Sequence, residues 1–190
     1  ILKDSFNDKT FIISLNFPQD SEIRFIEKGA FHYPSIECIN IPASLVDLRK
    51  GWCENTCKLV KINVDENNPR YSSYEDKFII GKTRIDQHDY DVLEFSIRNI
   101  ETAIIPEFIE IIESYSFNFC DELQHLEFPT NSKLRIIEKF AFSESSIQGI
   151  TVPRPLKLIG EGAFLYCSEF RMLEIPENSE LETIEERAFC

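Results

Sequence analysis

The chain is 190 residues long, 43% hydrophobic and 28% charged, which excludes a disordered polymer and leaves a soluble, folded body. Its 33 acidic side chains against 20 lysines and arginines give a formal net charge of −13. That charge excludes nucleic acid and anionic membrane as partners, because both reward the opposite sign.

In chain order, the first unit opens on Phe6 and places apolar residues at Ile12, Leu15 and Phe17, then Pro18, then a second apolar pair at Ile23 and Ile26. Ala30-Phe31 opens the next, with Ile36, Ile39, Ile41, Pro42, Leu45 and Leu48. A third opens on Trp52-Cys53, where Trp52 takes the alanine slot and Cys53 the phenylalanine slot, and reaches Ile62-Asn63-Val64. The alternation around Leu15-Asn16-Phe17, Ile39-Asn40-Ile41 and Ile62-Asn63-Val64 predicts short strands with every second residue inward. The proline closing two of them ends the ladder.

Residues 65–94 leave the pattern. Asp65-Glu66-Asn67-Asn68-Pro69 is a turn cluster, Lys77-Phe78-Ile79-Ile80 a predicted strand, Gly81-Lys82 a turn and Asp89–Phe95 a second strand. Together they predict a hairpin-like insertion between coils. The rhythm resumes at Phe95, with Glu94 in the alanine slot, and runs through Ser116-Phe117, Ala141-Phe142, Ala163-Phe164 and Ala188-Phe189. Steps between these marks are 22 or 25 residues, except for the 42 from Cys53 to Phe95. The long steps carry Asp20-Ser21-Glu22-Ile23, Asn131-Ser132-Lys133-Leu134 and Asn178-Ser179-Glu180-Leu181, which suit a side-chain-capped turn.

A fixed period of this length marks coils that cannot bury their apolar face alone and must stack. The expectation is one elongated body over residues 1–190, with the five phenylalanines from Phe31 to Phe189 that follow Ala or Ser piled in a column. The sequence starts without methionine and both ends cut a unit, so it reads as a piece of a longer array. Cys120 and Cys167 share one repeat slot, with Cys57 one residue off it, which predicts reduced, buried thiols.

Chemistry finds little support. His32, His88 and His125 fall at unrelated offsets, and neither a glycine-rich phosphate loop nor a His-Glu-x-x-His pattern occurs. Cys120 with His125 is a thin case for a nucleophile and base, and Cys53-x-x-x-Cys57 lacks a second ligand pair at zinc spacing. Neither catalytic residue, metal nor cofactor is expected.

The pattern Leu-x-x-Ile-x-x-x-Ala-Phe followed by Cys-x-x-Leu-x-x-Ile-x-Ile-Pro resembles the BspA-like leucine-rich repeats of bacterial and protist surface antigens, over about five-sixths of the chain. Asn67-Asn68-Pro69-x-Tyr71 resembles the variant unit that interrupts such arrays. The resemblance implies an α/β-type leucine-rich-repeat solenoid, a β-rich right-handed superhelix of 22- and 25-residue coils with parallel strands. It also implies a non-enzymatic module for recognition or adhesion at the cell surface or outside the cell, with a protein or glycan as partner.

Outward strand residues then stack in columns. One contains Asn16, Asn40, Asn63, Glu127, Thr151 and Glu174, another Glu37, Gln124, Gln148 and Arg171, and these are the candidate partner-binding residues. The asparagine row has a second reading as a hydrogen-bonded ladder. The alternative function is a structural spacer or an intracellular, cytoplasmic scaffold, which the absence of Asn-x-Ser/Thr favours.

Overall fold

The structure, a computed structural model, describes residues 1–6, 11–31 and 35–190. Each coil contributes two strands. The leading strands are β1 (Ser14–Leu15), β3 (Cys38–Ile41), β5 (Lys61–Val64), β9 (Thr102–Ile104), β11 (His125–Glu127), β13 (Gly149–Thr151) and β15 (Met172–Glu174). The trailing strands are β2 (Phe25–Ile26), β4 (Asp47–Leu48), β8 (Val92–Ser96), β10 (Ile111–Ile112), β12 (Ile136–Ile137), β14 (Leu158–Ile159) and β16 (Thr183–Ile184). All pairings between coils are parallel and in repeat register, such as Ile39 with Ile62 and Ile137 with Ile159. Inward residues of both strand sets, among them Ile39, Ala103, Ile112, Ile137, Ile150 and Ile159, are fully or almost fully buried. The chain is a β-solenoid.

The β-rich solenoid with parallel strands is as expected; no helix occurs among the described residues, and each coil carries a trailing strand instead. The backbone supplies the reason. Two residues before each register mark except Phe95 the chain enters the left-handed region, at Asp4, Gly29, Gly51, Tyr115, Phe140, Gly162 and Arg187, and it does so again two residues after four of them, at Asn55, Phe119, Glu144 and Tyr166. A residue with φ near +60° breaks any right-handed helix, and here two of them bracket the bend.

That bend is itself a ladder. The N–H groups of Phe117, Phe142 and Phe164 each donate to the alanine carbonyl of the next coil, Ala141, Ala163 and Ala188, at 2.7 Å. Alanine fits because its β-carbon is fully enclosed at Ala141 and Ala163. The rings follow the same translation: Phe117–Phe142, Phe142–Phe164 and Phe164–Phe189 stack at 4.7, 5.0 and 5.1 Å between centroids, and Phe6–Phe31 at 5.5 Å. Trp52 continues the amino-terminal column from the slot before Cys53, touching Phe31 and Phe95. A second slot column holds Thr56, Cys120, Ser145 and Cys167. There the Cys167 thiol donates to the Phe142 carbonyl at 3.0 Å and lies 3.5 Å from the Ser145 hydroxyl. Cys53, Cys120 and Cys167 are buried free thiols as expected, whereas Cys57 is exposed because Thr56 takes the inward slot.

The expected bend at Glu94-Phe95 is not a bend. Val92–Ser96 is one continuous strand, and the expected hairpin is a three-stranded antiparallel meander that includes β6 (Tyr71–Tyr74) and β7 (Phe78–Gly81). Glu75 and Asp76, both with positive φ, lie in the three-residue turn between β6 and β7, where the Lys77 N–H donates to the Tyr74 carbonyl at 3.1 Å. The meander joins the trailing sheet in the order β16-β14-β12-β10-β8-β7-β6.

β7 is buried on both faces and divides the interior in two. Phe78 and Ile80 belong to the core of the carboxy-terminal coils, Ile79 to the core of the first three. β8 serves both because its pairing slips: Ile80 faces Leu93 and Ile79 faces Phe95, which leaves Glu94 as a bulge residue between them. Leu93 therefore packs into one core and Phe95 into the other.

Where the aromatic column stops, Arg98 takes over. Its guanidinium carbon lies 4.2 Å from the Phe95 centroid, and its nitrogens donate to the carbonyls of Thr56, Cys53, Tyr115 and Ser116 and to the Thr56 hydroxyl. Fully buried without a carboxylate, it ties the third coil's bend to the fifth's through backbone oxygens.

Candidate recognition face

The outward columns exist as laid out in the sequence, and all ten candidate residues lie on the leading-strand face, exposed except for the half-buried Asn40. What they do there differs along the chain. In the first three coils the asparagines bond to one another. Asn63 Nδ2 donates to Asn40 Oδ1 at 2.7 Å, Asn40 Nδ2 donates to Asn16 Oδ1, and Asn16 Nδ2 reaches Ser14 Oγ at 3.2 Å. The side-chain ladder repeats the backbone ladder of β1, β3 and β5. Glu37 stands exposed beside it.

Beyond the insertion the face changes character. Among the described residues the leading strands form three separate ladders, β1-β3-β5, β9-β11 and β13-β15, while the trailing sheet runs unbroken from β8 to β16. The first gap follows from the meander. The second, between β11 and β13, underlies a groove of about 940 Å³ lined by residues of β9, β11, β13 and β15 and the segments after them.

Gln124 and Gln148, Glu127 and Thr151, and Arg171 all line this groove, with His125, Arg154 and Met172. Sequence reasoning missed Arg154, which lies past the strand and outside the columns. Glu174 stands at its edge and accepts from the Thr151 hydroxyl at 2.9 Å. Arg171 and Arg154 pair with Glu169 and Glu180 at 2.6 and 3.5 Å, so the basic groups stand neutralised. Gly149 is required at the groove floor, because a β-carbon there would come within 2.4 Å of the Met172 carbonyl oxygen.

The structure separates the cysteine and histidine weighed as nucleophile and base. Burial pushes the Cys120 thiol up, and its sulfur is held between Arg98 and the Ile97 carbonyl inside the coil, while His125 projects from the outer face. Burial also pushes Cys53 up to about 12, and Cys57 lies outside while Cys53 lies inside. Among the described residues there is no group of three metal-ligating side chains and no helix long and apolar enough to cross a membrane. His32 lies outside the described residues.

Solved structures resemble this chain over nearly its whole length. The pneumococcal vaccine antigen PcpA is 25% identical with a TM-score of 0.81, covering 94% of this chain and 43% of that one. A leucine-rich repeat protein from Eubacterium ventriosum is 20% identical with a TM-score of 0.70, covering 86% of this chain and 41% of that one. A leucine rich cell surface protein from Faecalibacterium prausnitzii is 16% identical with a TM-score of 0.59, covering 96% of this chain and 62% of that one. The last two likenesses show the fold alone, and the chain spans less than half the length of the first two structures. No curated protein matches the sequence. The BspA type leucine rich repeat region matches in six copies over residues 1–75 and 93–190, leaving out only residues 76–92, which hold β7 and the segment that leads to β8, and the chain therefore belongs to that family.

Proposed function

We propose that this chain is a non-enzymatic recognition module, working at the cell surface or outside the cell, that binds a protein or glycan partner through the leading-strand face of its carboxy-terminal coils. The observation that carries the reading is the groove, where the exposed polar side chains of Gln124, Glu127, Gln148, Thr151 and Arg171 converge from three successive coils. Solenoids present extended faces of this kind to partners. The likeness to a pneumococcal vaccine antigen supports the location. The asparagine ladder supports a division of labour in which the first three coils give reach and rigidity.

The test is to probe a glycan array and a panel of extracellular-matrix proteins with the whole chain and with the Gln124→Ala/Gln148→Ala/Arg171→Ala variant. Binding by the wild type that the variant loses, with an unchanged unfolding midpoint, supports the reading. Binding retained by the variant, or none by the wild type, counts against it.

A further inference from the structure

Among the described residues, Glu94 is the one buried carboxylate, and it lies in the wall between the two cores. It is only 5% exposed and sits at the bulge that lets β8 face both sides. Its side chain fills the space that a residue other than glycine would claim at position 81, since a β-carbon on Gly81 would lie 2.7 Å from Glu94 Oε1 and 3.1 Å from Tyr71 Cδ1. The β6–β7 hairpin thus closes on β8 with this carboxyl as filling.

The groups around it are committed elsewhere. From the segment after β4, Lys50 spans Glu138 and Glu113 at 2.7 and 3.4 Å. On β4, Asp47 pairs with Arg49 at 2.6 Å. Beside β6, Arg70 donates to the carbonyls of Val46 and Lys82 at 2.9 and 3.2 Å, and the Tyr71 hydroxyl accepts from the Leu48 N–H at 2.8 Å. After β10, Glu113 adds a like charge, and its carboxylate accepts from the Ser114 N–H at 2.7 Å. An ionised Glu94 meets a neighbouring anion and cations already in use. Burial first, and Glu113 second, push its pKa up from 4.5 to about 8.

We propose that Glu94 is a proton-operated latch on this wall: while it carries its proton the β6–β7 hairpin stays closed on β8, and on ionisation water enters beside Gly81, the hairpin lifts, and the two halves of the solenoid loosen from each other. Tyr71 and Ile79 leave the amino-terminal core together in that step, because they sit on the hairpin that moves. The loosening changes how the asparagine-laddered coils sit against the groove-bearing ones. It does not depend on any partner.

Trp52, the single tryptophan, reports directly, since its ring lies 5.5 Å from Phe95 on the amino-terminal side of the wall. Its fluorescence in the whole chain, titrated from pH 5 to pH 10, is expected to shift to the red with a midpoint near pH 8, the value at which the carboxyl ionises. Glu94→Gln is expected to abolish the transition, and Glu113→Gln to move it to lower pH by removing the like charge. Amide exchange in the wild type, corrected for the intrinsic pH dependence, is expected to rise at residues 71–81 above the transition while residues 136–159 keep their protection. A wild-type titration flat to pH 9.5 would overturn the proposal, as would a transition that Glu94→Gln retains. Where Glu94→Gln fails to fold, unchanged wild-type exchange at residues 78–81 across the range overturns it alone.

Discussion

The ring of Phe140 lies across the backbone of Gly162 in the following coil, at the place a side chain there would occupy. A β-carbon on Gly162 would come within 2.5 Å of Phe140 Cε1, and Gly162 itself has φ +58°. Tyr115 stacks on the other side of Phe140 at 5.3 Å and lies in turn over Gly51. At Gly51 and Gly162 this slot seats an aromatic ring from another bend. Gly162→Ala is therefore expected to cost at least the ~1–2 kcal/mol of a left-handed alanine, plus the clash. In urea unfolding the Phe140→Ala/Gly162→Ala pair should lose less than the sum of its single variants.

Glu144 occupies the left-handed slot two residues after Phe142, with φ +58° and its side chain exposed. Glu144→Gly relieves the steric cost there and breaks no hydrogen bond or ion pair of the carboxylate. A gain of about 0.5–1 kcal/mol is expected from the same unfolding measurement. The same substitution at an ordinary strand position lowers stability, so the sign of the change reports the backbone.

Arg98 holds four backbone carbonyls with one side chain. Removing it leaves buried acceptors unpaired, and Arg98→Met is expected to cost about 3–5 kcal/mol. Arg98→Lys should recover only part of the loss, because an ammonium cannot span acceptors of the third and fifth bends at once. Chemical denaturation of the three proteins checks the order.

Glu94 makes stability depend on pH with a definite sign. Its folded pKa lies above its unfolded one, so the folded state holds the extra proton, and the stability this provides is complete below about 4.5 and lost as pH rises to about 8. Glu94→Gln should match the wild type in thermal midpoint at pH 4.5 and exceed it increasingly up to pH 8. An equal gap at both pH values would contradict this.

The sequence disclosed the coil because its signal was written in apolar side chains: the Ala-Phe bend, the two inward pairs and the closing proline all translate directly into buried contacts. The residues that escaped carry their role in backbone conformation or in charge. Tyr115 and Phe140 sit in left-handed slots that only Gly29, Gly51 and Gly162, aligned in one column, would have given away. β6 reads Tyr-Ser-Ser-Tyr, too polar for alternation to mark it, and is held by pairing with β7. Glu94 looked like a substitute in the alanine slot because its spacing was right, yet the bulge moved it into a strand. The asparagine row had two readings, and the 24- and 23-residue separations bring Asn16, Asn40 and Asn63 into the bonding register of the ladder. On the recognition face the outward columns were legible, while the groove depends on a gap between β11 and β13 that no residue pattern announces.

The most direct measurement is the amide-exchange footprint of whichever array or panel member binds the whole chain. New protection concentrated at residues 124–128, 148–152 and 171–174, with residues 14–16, 38–41 and 61–64 unchanged, is the predicted result. Protection confined to the asparagine-laddered strands or to the meander, with the groove strands exchanging as in the free protein, would contradict it.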